Sequence, residues 1–208
     1  MCSGLFKPDH HYGVAVVSRS KPLRDSDSEV EYQSNLMLKG EPPFVAQTAA
    51  HLEELAQIAA GRALLRSLRL SGKIVRVIAT THANETVPDS YSRAFAQGRR
   101  ITWQTPAGRK RTIVGTGLGT RVTIKYNPAV SCIGCAGAWQ TAPPALWLAH
   151  ELIHAVDAAY GLMEPEIVGG VHNYERQAVG LPPYEEKEFT ENRFRIQWSP
   201  QQPLRTSY

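Results

Sequence analysis

One stretch constrains this chain more than any other: His150-Glu151-Leu152-Ile153-His154. It lies inside an apolar run, residues 145–160, flanked by helix punctuation. Pro143 and Pro144 stand where prolines open a helix, Thr141 is a candidate N-cap, and Gly161 stands where glycine closes one. The spacing therefore predicts a single helix. Positions four apart lie one turn apart on the same face, so both imidazoles can reach one metal ion. Glu151 projects beside them. Leu148, Leu152, Val156 and Ala159 supply the opposite, core-facing stripe.

Two histidines and a carboxylate at H-E-x-x-H spacing suit a catalytic zinc site. The imidazoles ligate, the carboxylate takes a proton from water, and a third protein ligand must come from elsewhere. Its candidates, on a segment folding back over the helix, are His172, Glu175, Glu185, Glu186, Glu188 and Glu191. Glu175 belongs to a short helical segment, which would hold its side chain rigidly.

The rest of the chain bounds the setting. Its 208 residues, 42% hydrophobic, suit one globular domain plus an arm. Residues 1–40 are polar and charged and read as a flexible arm; residues 41–208 form the domain. His10 and His11 lie in that arm and are expected to face solvent. No stretch approaches the ~20 apolar residues of a membrane helix. The first residues lack an apolar signal-peptide core, so general secretory export is not expected. Residues 45–70 read as one long helix with Leu52, Leu55, Ile58, Leu65 and Leu68 inward. Residues 73–80, 100–104, 110–114 and 120–126 read as strands, 81–98 as a polar loop, and Gly115–Gly119 as a hairpin connection. Cys132 and Cys135 form a lone C-x-x-C, read as two partly buried free thiols.

Charge is uneven. Residues 90–150 carry eight basic side chains and no acidic one, whereas residues 151–208 carry nine acidic and five basic. A basic middle beside an acidic end could steer a charged partner; the simpler expectation is that arginine and lysine guard exposed sheet edges. A nucleic-acid binder is not expected, because only Trp103 and Tyr126 offer stacking positions among these strands.

Several motifs of the last third resemble glutamate-type zincins, including the clostridial neurotoxin light chains. They are H-E-L-I-H-A at 150–155, E-x-x-A-V-G at 175–180, T-E-N-x-x-R at 190–195 and the terminal Arg205-Thr-Ser-Tyr208. Together they look like the NleD-like family of bacterial type III effector metalloproteases, HopH/XopG branch. The resemblance implies one zinc per chain held by His150, His154 and Glu175, with Glu191 as the second choice for third ligand and otherwise a buttress behind the site. It implies Arg205 and Tyr208 as oxyanion donors. It also implies secretion by a bacterium into host-cell cytoplasm, a host protein as substrate, and an N-terminal arm serving as secretion signal and chaperone contact. The target itself does not carry over.

The expected fold is an α+β zincin-like (gluzincin) domain. Its mixed sheet, from residues 73–80 and 100–126, would lie over the metal helix with an edge strand beside the cleft. Glu151 is the expected general base of a zinc metallopeptidase. A monomer is expected, without nucleic acid or membrane partners. The rival is a catalytically silent module that disables a host target by occupancy.

Overall fold

The computed structural model describes residues 28–132 and 137–208. His10, His11 and Cys135 lie outside the described residues. The chain forms a mixed α+β fold. Strands β1 (Ser28–Gln33), β2 (Leu36–Gly40), β3 (Val75–Ala79), β4 (Glu85–Pro88) and β7 (Val122–Tyr126) make one sheet, ordered β1-β2-β3-β7-β4. The pairs β2/β3 and β3/β7 are parallel; both edge pairs are antiparallel. Strands β5 (Arg100–Gln104) and β6 (Lys110–Val114) form a separate two-stranded ribbon.

One face of the large sheet makes the core. The register aligns Leu36 with Val75 and Val122, and Leu38 with Val77 and Ile124. All six side chains are buried, and the intervening residues are less so, as period-two alternation requires for a sheet covered on one side. Helices α1 (Pro42–Ala56), α2 (Ala59–Ser71) and α4 (Pro144–Tyr160) cover that face.

Four expectations change. The ordered domain begins before residue 41: β1 and β2 belong to the sheet, and Leu36 and Leu38 are each only 1% exposed. Asn35 Nδ2 pins their hairpin to the end of α2 through the carbonyls of Leu68 (2.6 Å) and Lys73 (2.8 Å). The polar sequence around them belongs to an edge strand, whose composition imitates disorder. Second, residues 45–70 are two helices. Arg62 Nη1 caps the end of α1 at the carbonyls of Ala56 and Gln57, and the first turn of α2 presses so closely that a Cβ on Gly61 would stand 1.9 Å from Leu55 O. Third, residues 81–98 contain β4 and the short helix α3 (Tyr91–Ala94), so they are not one loop.

The fourth correction concerns residues 100–119. The ribbon β5–β6 stays out of the large sheet, and Gly115–Gly119 connects two sheets instead of closing a hairpin. Its glycines have a packing reason. Gly119, at φ 66°, sits where a Cβ would be 1.9 Å from Ala159 O, and Gly161, at φ 69°, faces Gly117 in the same way. The end of α4 and this loop approach backbone to backbone.

Helix α4 also departs from its expected amphipathic form. Every residue from Ala145 to Ala159 is buried. The sheet, α1, α2 and the later helix α6 (Glu191–Trp198) surround it, so its polar residues are interior groups that need partners. Its N-cap is Pro143, not Thr141. Among the described residues no helix is long and apolar enough to cross a membrane.

Placement of β2 in the core makes a direct prediction. Leu38→Ala should cost about 2–5 kcal/mol, as buried leucine truncations do. A flexible arm would tolerate it within about 0.5 kcal/mol. Thermal or urea unfolding separates the two.

Candidate metal centre

His150 and His154 project from the middle of α4 with their Nε2 atoms 3.1 Å apart. The third donor arrives from a different part of the chain. After Gly161 the chain runs into a two-residue hairpin, β8 (Ile167–Val168) and β9 (Val171–His172), and then into α5 (Asn173–Val179). Glu175 lies in the first turn of α5, where the helix dipole favours a carboxylate. Its Oε2 is 3.1 Å from His154 Nε2 and 3.4 Å from His150 Nε2. Gly180 ends α5 at φ 82°, and a Cβ there would meet the Thr190 side chain at 2.7 Å. Thr190 is the N-cap of α6, its hydroxyl accepting from Arg193 N. The glycine thus lets the helix that carries Glu175 abut the helix that carries Glu191.

Glu191 stands behind the cluster, not in it. His150 Nδ1 donates to Glu191 Oε2 at 2.9 Å, which turns the Nε2 lone pair toward the other donors. Arg195 Nε meets Glu191 Oε1 at 2.7 Å and Arg205 Nη1 meets Oε2 at 3.2 Å. Burial disfavours the charge of Glu191, but its hydrogen bond to His150 and the charges of His150, Arg205 and Arg195 hold its carboxyl down at about 2.

The cluster fits a cation on chemical grounds. Two imidazole nitrogens and a carboxylate oxygen converge, with ligand atoms all within 4.8 Å of one another. Lone pairs facing each other in a buried place repel unless something positive sits among them. The titration of His150 expresses this. Burial alone would lower it, yet hydrogen bonds to Glu175 and Glu191 push it up to about 9. Glu175 likewise lies well below the usual carboxylate range, because His154 and His150 outweigh its burial. A two-nitrogen, one-oxygen donor set suits zinc.

Glu151, on the same turn, points to the edge strand. The Thr86 hydroxyl of β4 lies 2.7 Å from its Oε2 and 3.0 Å from its backbone carbonyl. Burial raises the Glu151 carboxyl, and the two histidines and Thr86 partly oppose that rise.

The chain's last residues reach the same place. The Tyr208 hydroxyl donates to Glu175 Oε2 and lies 3.5 Å from His150 Nε2. Arg205 is 4% exposed, and its guanidinium is stacked between the rings of Trp139 (4.8 Å) and Tyr208 (4.0 Å). It reaches Glu191 and the Ser207 carbonyl, so it holds the tail instead of facing the cluster. The other candidate ligands stay away. His172 Nδ1 bonds Pro165 O and the ring stacks on Tyr174, while Glu185, Glu186 and Glu188 are exposed. Cys132 is exposed rather than partly buried.

Sequence reasoning missed the parts played by Thr86, Arg195 and Trp139. Arg195 had a usable signal, being four residues after Glu191 on one helix. Thr86 had none, because its role depends on β4 lying beside α4.

A family model of the Peptidase_M91 effector proteins matches residues 17–208, and the chain belongs to that family. No curated protein matches it. Among solved structures it is similar to the catalytic domain of Clostridium botulinum neurotoxin serotype F, at TM-score 0.48 and 12% identity, covering 76% of this chain and 60% of that one. It is also similar to the botulinum neurotoxin serotype HA light chain, at TM-score 0.39 and 17% identity, covering 62% of this chain and 38% of that one. The chain therefore spans three-fifths or less of these neighbours.

Proposed function

We propose that the chain is a zinc-dependent endopeptidase of the zincin-like, gluzincin type. It acts on a host protein after delivery as a bacterial type III effector of the NleD-like, HopH/XopG kind. The observation that carries this reading is the convergence of His150 Nε2, His154 Nε2 and Glu175 Oε2 beside the buried carboxylate of Glu151. These three residues would hold one zinc ion. When bound, zinc supplies Lewis acidity to the scissile carbonyl and makes water easier to deprotonate.

The remaining chemistry belongs to the chain. Glu151, oriented by Thr86, takes the proton of the attacking water and delivers it to the leaving amine. The raised carboxyl of Glu151 brings its proton affinity toward working pH, which suits both steps. The Tyr208 hydroxyl supplies a hydrogen bond to the oxyanion. Glu191 orients His150, while Arg205 and Trp139 hold Tyr208 in place. Among the described residues β4 pairs only with β7, and its outer edge can take an extended substrate backbone.

Metal analysis tests the ligand set. We expect one zinc per chain, lost on dialysis from Glu175→Ala. Glu191→Ala should retain zinc but bind it about 10–100-fold more weakly, as loss of an outer partner does. Retention by Glu175→Ala together with loss by Glu191→Ala would move the third-ligand role to Glu191. Tyr208→Phe should keep zinc and melting temperature and lose about 10²–10³ in peptide turnover. Wild-type turnover in that variant would remove Tyr208 from the oxyanion site.

A further inference from the structure

We propose that the cleft flanking Tyr208 is a substrate subsite for a glutamate side chain, with Arg176 as its specificity-determining residue. This rests on the hydrolytic reading above. The cleft holds about 220 Å³ and is lined by Val168, Val171, Arg176, Leu181, Pro182 and Tyr208, among others. It shares Tyr208 with the metal centre, and Arg176 directly follows Glu175 on α5. A side chain lodged there therefore belongs to a residue close to the scissile bond.

The lining has two chemical parts. Val168 and Val171 from the β8–β9 hairpin, with Leu181 and Pro182 after α5, give apolar walls. Arg176 supplies the charge, and its Nη2 is anchored on Pro182 O at 2.5 Å. The other arginines of residues 151–208 are ion-paired: Arg195 and Arg205 share Glu191, and Arg193 reaches Glu186. Among the described residues no ion pair neutralises Arg176. A fixed, unneutralised guanidinium on an apolar cleft selects an anionic group at the end of an aliphatic stem. The guanidinium fork matches a carboxylate, and the two methylenes of glutamate cover the walls. Lysine or arginine would be repelled, and a neutral side chain would cover the guanidinium without supplying a counter-charge.

The test is digestion of a proteome-derived peptide library by the zinc-supplemented chain, followed by kinetics on peptides drawn from it. Cleaved peptides should be enriched in glutamate at one fixed position relative to the scissile bond. Replacing that glutamate with glutamine should lower kcat/KM about tenfold to hundredfold, the scale of a charge-assisted hydrogen bond. Arg176→Gln should bring the ratio near one, and Arg176→Glu should favour lysine at the same position. Each ratio compares two peptides within one variant, so a smaller active fraction cancels. A wild-type ratio near one, or an unchanged ratio in Arg176→Glu, overturns the subsite and leaves hydrolysis standing. A library left intact by wild type overturns both.

Discussion

Glu151→Gln should lower peptide turnover about 10²–10⁴-fold, the range of a positioned general base, and leave zinc content and fold in place. The substitution removes the proton-accepting oxygen and little else. Glu151 is 7% exposed, and its one side-chain hydrogen-bond partner among the described residues is the Thr86 hydroxyl, from which a glutamine carbonyl can also accept. The flanking imidazoles reach Glu175 and each other, not Glu151. Peptide cleavage followed by mass spectrometry, with metal analysis of the same preparations, checks both halves. Undiminished cleavage by the variant would show that a different group moves the proton. The rival reading, inhibition by occupancy, predicts that the variant still disables its host target.

Arg195→Ala should cost about 3–5 kcal/mol, the penalty for breaking a buried charge pair and stranding its partner. Arg195 is fully buried and joins three parts of the site. Nε holds Glu191 at 2.7 Å, Nη1 holds Pro203 O at 2.9 Å, and Nη2 holds Trp139 O at 2.9 Å. Its guanidinium also lies over the Trp147 ring, 5.3 Å from the centroid. Removing it strands two carbonyls, leaves Glu191 with Arg205 as its remaining arginine, and opens a cavity beside α4. At roughly 2–4 °C per kcal/mol for a chain of this size, the melting temperature should fall by about 6–20 °C. Thermal unfolding by circular dichroism measures it. A fall of less than about 2 °C would mean that water satisfies these groups and that the network does not hold the tail.

The helix that carries His150 and His154 was legible because its information is local. The i, i+4 spacing of His150 and His154, the prolines before them and Gly161 after them lie within one helix length, where periodicity determines geometry. The strands 100–104 and 110–114 were legible in the same way, from alternation and the Pro106–Gly108 turn. Glu175 and Glu191 were different. Residue type admitted six candidates, and a short helical segment around Glu175 and motif resemblance ranked them, since Glu175 and Glu191 lie 21 and 41 residues from their histidine partners. Which of them faces the cluster depends on how α5 and α6 meet through Gly180 and Thr190. Partnership decided the rest. β1 and β2 read as an arm because their apolar side chains matter only against β3, and α4 read as amphipathic because α6 and the sheet that bury its polar face are distant in sequence. Sequence by itself determined which side chains share a helix face. Tertiary structure alone decided which distant carboxylate completes the donor set, because that depends on close approach between elements that no local pattern encodes.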